Sequence, residues 1–207
     1  MTITGTLSGS YNSAEIAKKI YLEEHPDTKI HVIDSLSAGG EVDLIVRKIN
    51  HLVAEGLDFD QVVDGITAYQ AKTKLLFVLA KVDNLVKNGR LSKLVGTVVG
   101  LLNIRMVGEA SKTGTLELLQ KARGQKKAIK AAFDELLKAG YAGGHITIAH
   151  RNNEKFIEQF SELVREKFAQ ASIEVLPTSG LCSFYAEEGG MKFKKTLKRG
   201  WTTCSVF

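Results

Sequence analysis

The feature that most constrains this chain is its opening, MTITGTLSGSYNSAEIAKKI, in which a short apolar stretch runs through small residues straight into a helical pattern. Ile3 and Thr4 suit a strand, Gly5 and Gly9 loosen a turn, and Ser8, Ser10 and Ser13 are each chemically able to cap a helix carrying Ile16, Ala17, Ile20 and Tyr21. Such a junction is suited to anions. The free N–H groups of a first helical turn and the positive end of the dipole favour a carboxylate or phosphate, and small residues admit it to the backbone. Ser and Gly are also ordinary wherever a strand enters a helix, so the local pattern leaves both readings open.

The same alternation continues. KIHVID, Lys29 to Asp34, follows a His25-Pro26-Asp27 break and reads as a second strand. Val42, Ile45, Val46, Ile49, Leu52 and Val53 recur at helical spacing until Gly56. Phe59, Val62, Val63, Ile66 and Tyr69 form another amphipathic helix, with Asp58 or Asp60 near its start. Strands alternating with helices imply a parallel sheet that binds ligand at the carboxyl ends of its strands, where Ser8, Asp34 and Ser35 fall. Residues 1–72 therefore read as a partial N-terminal α/β domain.

After Lys72 the pattern changes. Leu75 to Leu79 is a short apolar strand, a helical turn ends at Asn88-Gly89, and a helix from Lys93 to Leu102 carries Gly96 and Gly100 among Leu and Val. That composition lets either a ligand or a sheet pack close to the backbone. A strand near Leu102 to Val107, a Lys112-Thr113-Gly114 turn and a return over Thr115 to Leu119 make a hairpin, whose strands must run antiparallel. A helix beyond Arg123, the strand HITIAH, a helix from Phe156 to Phe168 and a strand from Ser172 to Leu176 complete an α+β domain over 73–190, on a mostly antiparallel sheet.

Charge and cysteine usage exclude several functions. All of the net +5 lies in Lys192, Lys194, Lys195, Lys198 and Arg199, leaving residues 1–190 balanced and no helix with the basic stripe of a nucleic-acid reader. Residues 191–207 read as an irregular basic tail, either foreign to the fold or a patch for anionic lipid. Cys182 and Cys204 are too few for a disulfide framework, and no signal peptide or membrane span is legible, so a cytoplasmic protein is expected. His145 and His150 flank one strand on opposite faces and cannot both ligate one metal, so no metal site is expected.

LSGSYNSA followed by VIDS, then VDNLVKNGRLS, LLNIRMV and KARGQKKA, in this order and at these separations, resembles the DegV family of bacterial two-domain lipid-binding proteins. The resemblance implies a doubly wound parallel α/β domain, a second α+β domain, and a long-chain fatty acid held between them. It further implies a carrier, not an enzyme, that needs no cofactor and presents the bound acid to a separate fatty acid kinase subunit. Matched to the family's LSGTY motif, Ser8 is the expected contact for the carboxylate, with the amides of Gly9 and Ser10. Arg123, with Lys126 and Lys127, matches the family's basic motif, and cations at a helix start, where the dipole disfavours them, suggest an acidic partner or a phosphate.

Three departures accompany the match. The family segment that precedes the LSGTY turn, with its own strand and a threonine of the carboxylate site, has no counterpart before Met1, so a truncated relative without ligand is one alternative. GLCSFYAEEGGM stands where many members carry a histidine in a Gly-Pro-Gly context, which leaves Ser183 or Tyr185 to supply a hydroxyl. The stretch after Met191 has no family counterpart. A phosphate-handling enzyme is the other alternative, although GTLSGS lacks the GK[ST] ending of a Walker loop.

Overall fold

In the computed structural model, which describes residues 1–91 and 103–196, three helices precede the first strand: α1 (Ser10–Glu24), α2 (Gly40–Ala54) and α3 (Phe59–Ala71). Asp58, not Asp60, starts α3. Its carboxylate accepts the Gln61 N–H while the Gln61 side chain accepts the Asp58 N–H, a reciprocal capping box. α2 and α3 pack together around Leu44, Ile45, Leu52, Ile66 and Tyr69. α1 forms as its spacing predicts but buries no residue, and Ile16 and Ile20 remain 52% and 59% exposed.

The two strands expected in this part are not formed. Parallel pairing is reduced to one bridge between Thr2 and Asp34, in which the Thr2 N–H donates to the Ile33 carbonyl (3.0 Å) and the Ser35 N–H to the Thr2 carbonyl (3.2 Å). A strand requires a row of paired neighbours, and among the described residues these two segments pair as strands only at that bridge.

Seven further elements follow from Thr73 to Lys167: β1 (Thr73–Leu79), α4 (Asp83–Lys87), β2 (Ile104–Ala110), β3 (Leu116–Arg123), α5 (Gln125–Lys138), β4 (His145–His150) and α6 (Glu154–Lys167), before β5 (Ser172–Pro177). α7 (Gly180–Ala186) and β6 (Met191–Thr196) close the described chain. The strands form one sheet in the order β3-β2-β1-β6-β4-β5, in which β4 and β5 run parallel and every other pair of neighbours antiparallel. The chain therefore has the expected fold class, an α/β part followed by an α+β part on a mostly antiparallel sheet.

Strand alternation decides which helices cover which face. Leu76, Val78, Val107, Ile146 and Ile148 point to α5 and α6, where Phe156 and Phe160 are fully buried. Phe77, Leu79, Met106 and Leu116 point the other way and pack with Leu85 of α4 and Tyr185 of α7.

The expectation of an irregular tail from Met191 is corrected over its first six residues. β6 lies between β1 and β4 and pairs with both, so backbone bonding on two sides overrides a weak local pattern. Only Met191 and Phe193 mark its period in the sequence, amid lysines. The expected helix from Lys93 to Leu102 and residues 197–207 lie outside the described residues.

Candidate functional site

The turn at the start of the chain is held by its own backbone. Leu7 and Ser8 donate their N–H groups to the carbonyl of fully buried Thr4 (3.1 and 3.2 Å), and the Thr4 N–H reaches the Ser37 carbonyl at 2.7 Å. The Asp34 carboxylate accepts the N–H groups of Gly5 (3.2 Å) and Leu36 (3.0 Å), so this residue ties two loops together. The Ser8 hydroxyl accepts the Ser10 N–H at 3.3 Å, just ahead of α1.

The β2–β3 hairpin braces this turn. Gly114 has φ +78°, and a Cβ there would stand 2.3 Å from Thr4 Oγ1 and 2.9 Å from the Leu36 carbonyl oxygen. Only glycine meets both demands, a left-handed backbone and a near-touching neighbour.

A cavity of about 290 Å³ opens between the first part of the chain and the second face of the sheet. Ile3, Leu7, Ser8 and Ala38 line it from the first part. Leu85, Arg90, Leu116, Leu181, Cys182 and Tyr185 line it from the second. The lining residues are thus mainly apolar, with Ser8, Tyr185, Arg90 and Cys182 as those that carry polar groups. The hydroxyls of Thr2 and Ser37, neighbours in sequence of Ile3 and Ala38, are buried without a hydrogen-bond partner.

Of the residues anticipated for the carboxylate, Ser8 and Tyr185 share this wall. Gly9, Ser10 and Ser183 do not line it. Gly9 and Ser10 are exposed at the start of α1, and the Ser183 hydroxyl lies 2.7 Å from Thr178 Oγ1. Arg123 is exposed at the end of β3, beside the exposed Lys126 and Lys127 of α5, and is also absent from the lining. Nearby, burial holds the Arg105 guanidinium below the ordinary arginine value. Its Nη1 donates to the Gly189 carbonyl at 3.4 Å while its buried Nε has no partner.

His145 contacts Ser172 and Thr147 through its two ring nitrogens, both at 3.1 Å, whereas His150 Nδ1 accepts the Asn153 N–H. Among the described residues no cluster suited to a metal is present. Sequence reasoning missed Arg90, Leu181 and the short helix α7. Leu181 and Tyr185 stand four residues apart on that helix, a signal present in the sequence but too brief to stand out.

The order of motifs, a single mixed sheet and a cavity between the two parts are features shared with known proteins. The family model described as "Uncharacterised protein, DegV family" matches residues 1–193. The chain belongs to the DegV family. A DegV domain-containing protein of Streptococcus pneumoniae is 77% identical over 191 residues, covering 92% of this chain and 68% of that relative. Among solved DegV-like structures, the fatty acid kinase B3 protein of Streptococcus pneumoniae loaded with linoleic acid matches with a TM-score of 0.89 and 75% identity, covering 95% of this chain and 70% of the other. A DegV family protein of Eubacterium eligens loaded with heptadecanoic acid matches with a TM-score of 0.87 and 39% identity, over 95% of this chain and 71% of the other.

Proposed function

We propose that this chain binds a long-chain fatty acid in the cavity between its two parts and presents the carboxylate to a separate fatty acid kinase subunit. The single observation that carries this reading is the wall itself, where Leu7, Leu85, Leu116 and Leu181 line a space that Ser8 lines as well. An acyl tail gains about 0.8 kcal/mol per buried methylene, while its charged head must meet donors or forfeit that gain. The linoleic acid in the similar Streptococcus pneumoniae protein supports the same ligand class here.

In this reading Ser8 contacts the carboxylate and Tyr185 supplies a second hydroxyl. The Ser10 N–H orients the Ser8 oxygen, and Gly9 keeps the approach open. The chain acts as a carrier and leaves phosphoryl transfer to its partner. Arg123, with Lys126 and Lys127, forms an exposed basic corner suited to an acidic surface on the kinase or to the phosphate being transferred. No helix among the described residues is long and apolar enough to cross a membrane, and the proposed carrier works in the cytoplasm with transient contact at the membrane surface.

The test is native mass spectrometry of the freshly purified chain before and after organic extraction. The expected result is a mass excess that matches a long-chain fatty acid and disappears on extraction. A bare mass before extraction would overturn the reading. It would favour a relative that keeps the motifs without the ligand, a second reading to which the exposed Ile16 and Ile20 of α1 lend weight.

A further inference from the structure

Among the described residues the two parts of the chain share no buried apolar cluster. One cluster lies wholly within the first 72 residues, and those on the two faces of the sheet draw on residues beyond Thr73. Polar contacts join the parts instead. One set centres on Arg47 of α2, which does not line the cavity.

Arg47 stands between two carboxylates. Its Nε is 2.8 Å from Asp43 Oδ2, one turn back on the same helix, while its Nη1 and Nη2 donate to Glu174 Oε2 and Oε1 of β5 at 3.5 and 3.2 Å. Glu174 is held in turn from the sheet. Fully buried Thr147 of β4 donates its hydroxyl to Glu174 Oε2 at 3.3 Å, and His145 Nε2 lies 3.1 Å from that hydroxyl and 3.4 Å from the same carboxylate oxygen. The Ser172 hydroxyl meets the other ring nitrogen of His145 at 3.1 Å. Strand register accounts for the grouping, because His145 pairs with Ser172 and Thr147 with Glu174 in the parallel ladder, which puts all four side chains on one face.

An exposed ion pair contributes little when both of its side chains must be ordered to make it. Here both are ordered in advance, Arg47 by Asp43 and Glu174 by Thr147 and His145. A two-point contact between guanidinium and carboxylate also fixes an orientation, here that of α2 against β5.

We propose that Asp43, Arg47 and Glu174, backed by His145 and Thr147, form a clasp that holds the two parts closed and sets the rate at which the cavity between them exchanges its occupant. This inference rests on the fatty-acid reading and adds the control of release to it. A ligand enclosed between two bodies without a common core leaves when they part, and parting breaks the contact between Arg47 and Glu174. The clasp is built from partly exposed charges, so added salt weakens it.

The experiment loads the full chain with a fluorescent long-chain fatty acid and follows its release to phosphatidylcholine vesicles by stopped flow, at low and at high salt. Arg47→Gln and Glu174→Gln are each expected to speed release by about three- to tenfold, and the double variant to release no faster than the quicker single one, since the same contact is lost in all three. Added salt is expected to speed release from the unaltered chain and to leave the double variant within about twofold of its low-salt rate. Unchanged release in both single variants overturns the clasp and spares the fatty-acid reading. A double variant whose acceleration is the product of the two single effects, or one that keeps the full salt response, also overturns it, because the residues then act separately. Failure of the unaltered chain to take up the acid removes the fatty-acid reading and this inference with it.

Discussion

The two parts of this molecule are held by different forces. The sheet carries a continuous apolar core on its α5 and α6 face, with Phe156 and Phe160 fully buried. The first 72 residues contain a smaller core between α2 and α3, a helix with no fully buried residue, and an opening turn fastened by backbone and Asp34 hydrogen bonds. Burial of area stabilises the first arrangement, and local polar geometry shapes the second. The polar point nearest the proposed head group, Ser8, belongs to the less deeply packed part. Stability and ligand chemistry are thus drawn from different stretches of one chain, joined where the Gly114 hairpin meets Thr4 and Leu36.

The sharpest way to break this contrast is a pair of truncations. Phe160→Ala should cost about 3–5 kcal/mol in urea denaturation, whereas Ile20→Ala on α1 should stay within about 0.5 kcal/mol. Similar losses at both sites would show that α1 is packed in solution and that the contrast is false. Next in size is Ser8→Ala, expected to weaken fatty-acid retention by about 1.5–3 kcal/mol with the melting temperature unchanged. Unaltered lipid content in the extracted variant would take Ser8 out of the site.

Gly114→Ala tests the joint between the parts. Its strained backbone and the collision with Thr4 should cost about 1–3 kcal/mol, with ligand retention falling further than in a core variant of equal stability. Retention that merely follows stability would mean that the hairpin does not shape the cavity. The smallest effect is expected at Glu135 on α5. Burial would raise its carboxyl, but hydrogen bonds from Lys138 and Gln120 and the Lys138 charge outweigh this and bring it below the ordinary value. A carboxyl lowered on folding contributes stability above its unfolded value of about 4.3, and that contribution is lost as the pH falls through and below this value. Glu135→Gln should therefore reduce stability at pH 7 by less than about 1 kcal/mol and flatten the acid limb of the stability curve; an identical limb would exclude the contribution.

Legibility differed between the parts in the same physical way. Elements with a long apolar period, such as α5 and α6, were readable because one side of each is buried along its whole length. β6 was not, since its six residues become a strand only by pairing with β1 and β4. The segments around Ile3 and Ile30 erred in the opposite direction. Their composition suits strands, yet a strand depends on neighbours that composition does not specify. In the site, Ser8 was readable from its turn, but Arg90 looked like no more than the residue after a helix stop.

By itself the sequence determined the long helices α1, α2, α3, α5 and α6, the hairpin, the small-residue turn that carries Ser8 and membership in the DegV motif series. These depend on contacts within a few residues or on periodicity along one element. Only the tertiary structure decided that β6 enters the middle of the sheet, that Ser183 turns to Thr178, and that Arg90 and Tyr185 meet Ser8 around one cavity. Ser8 stands 82 positions from Arg90 and 177 from Tyr185, and packing between distant segments leaves no period in the chain that forms it.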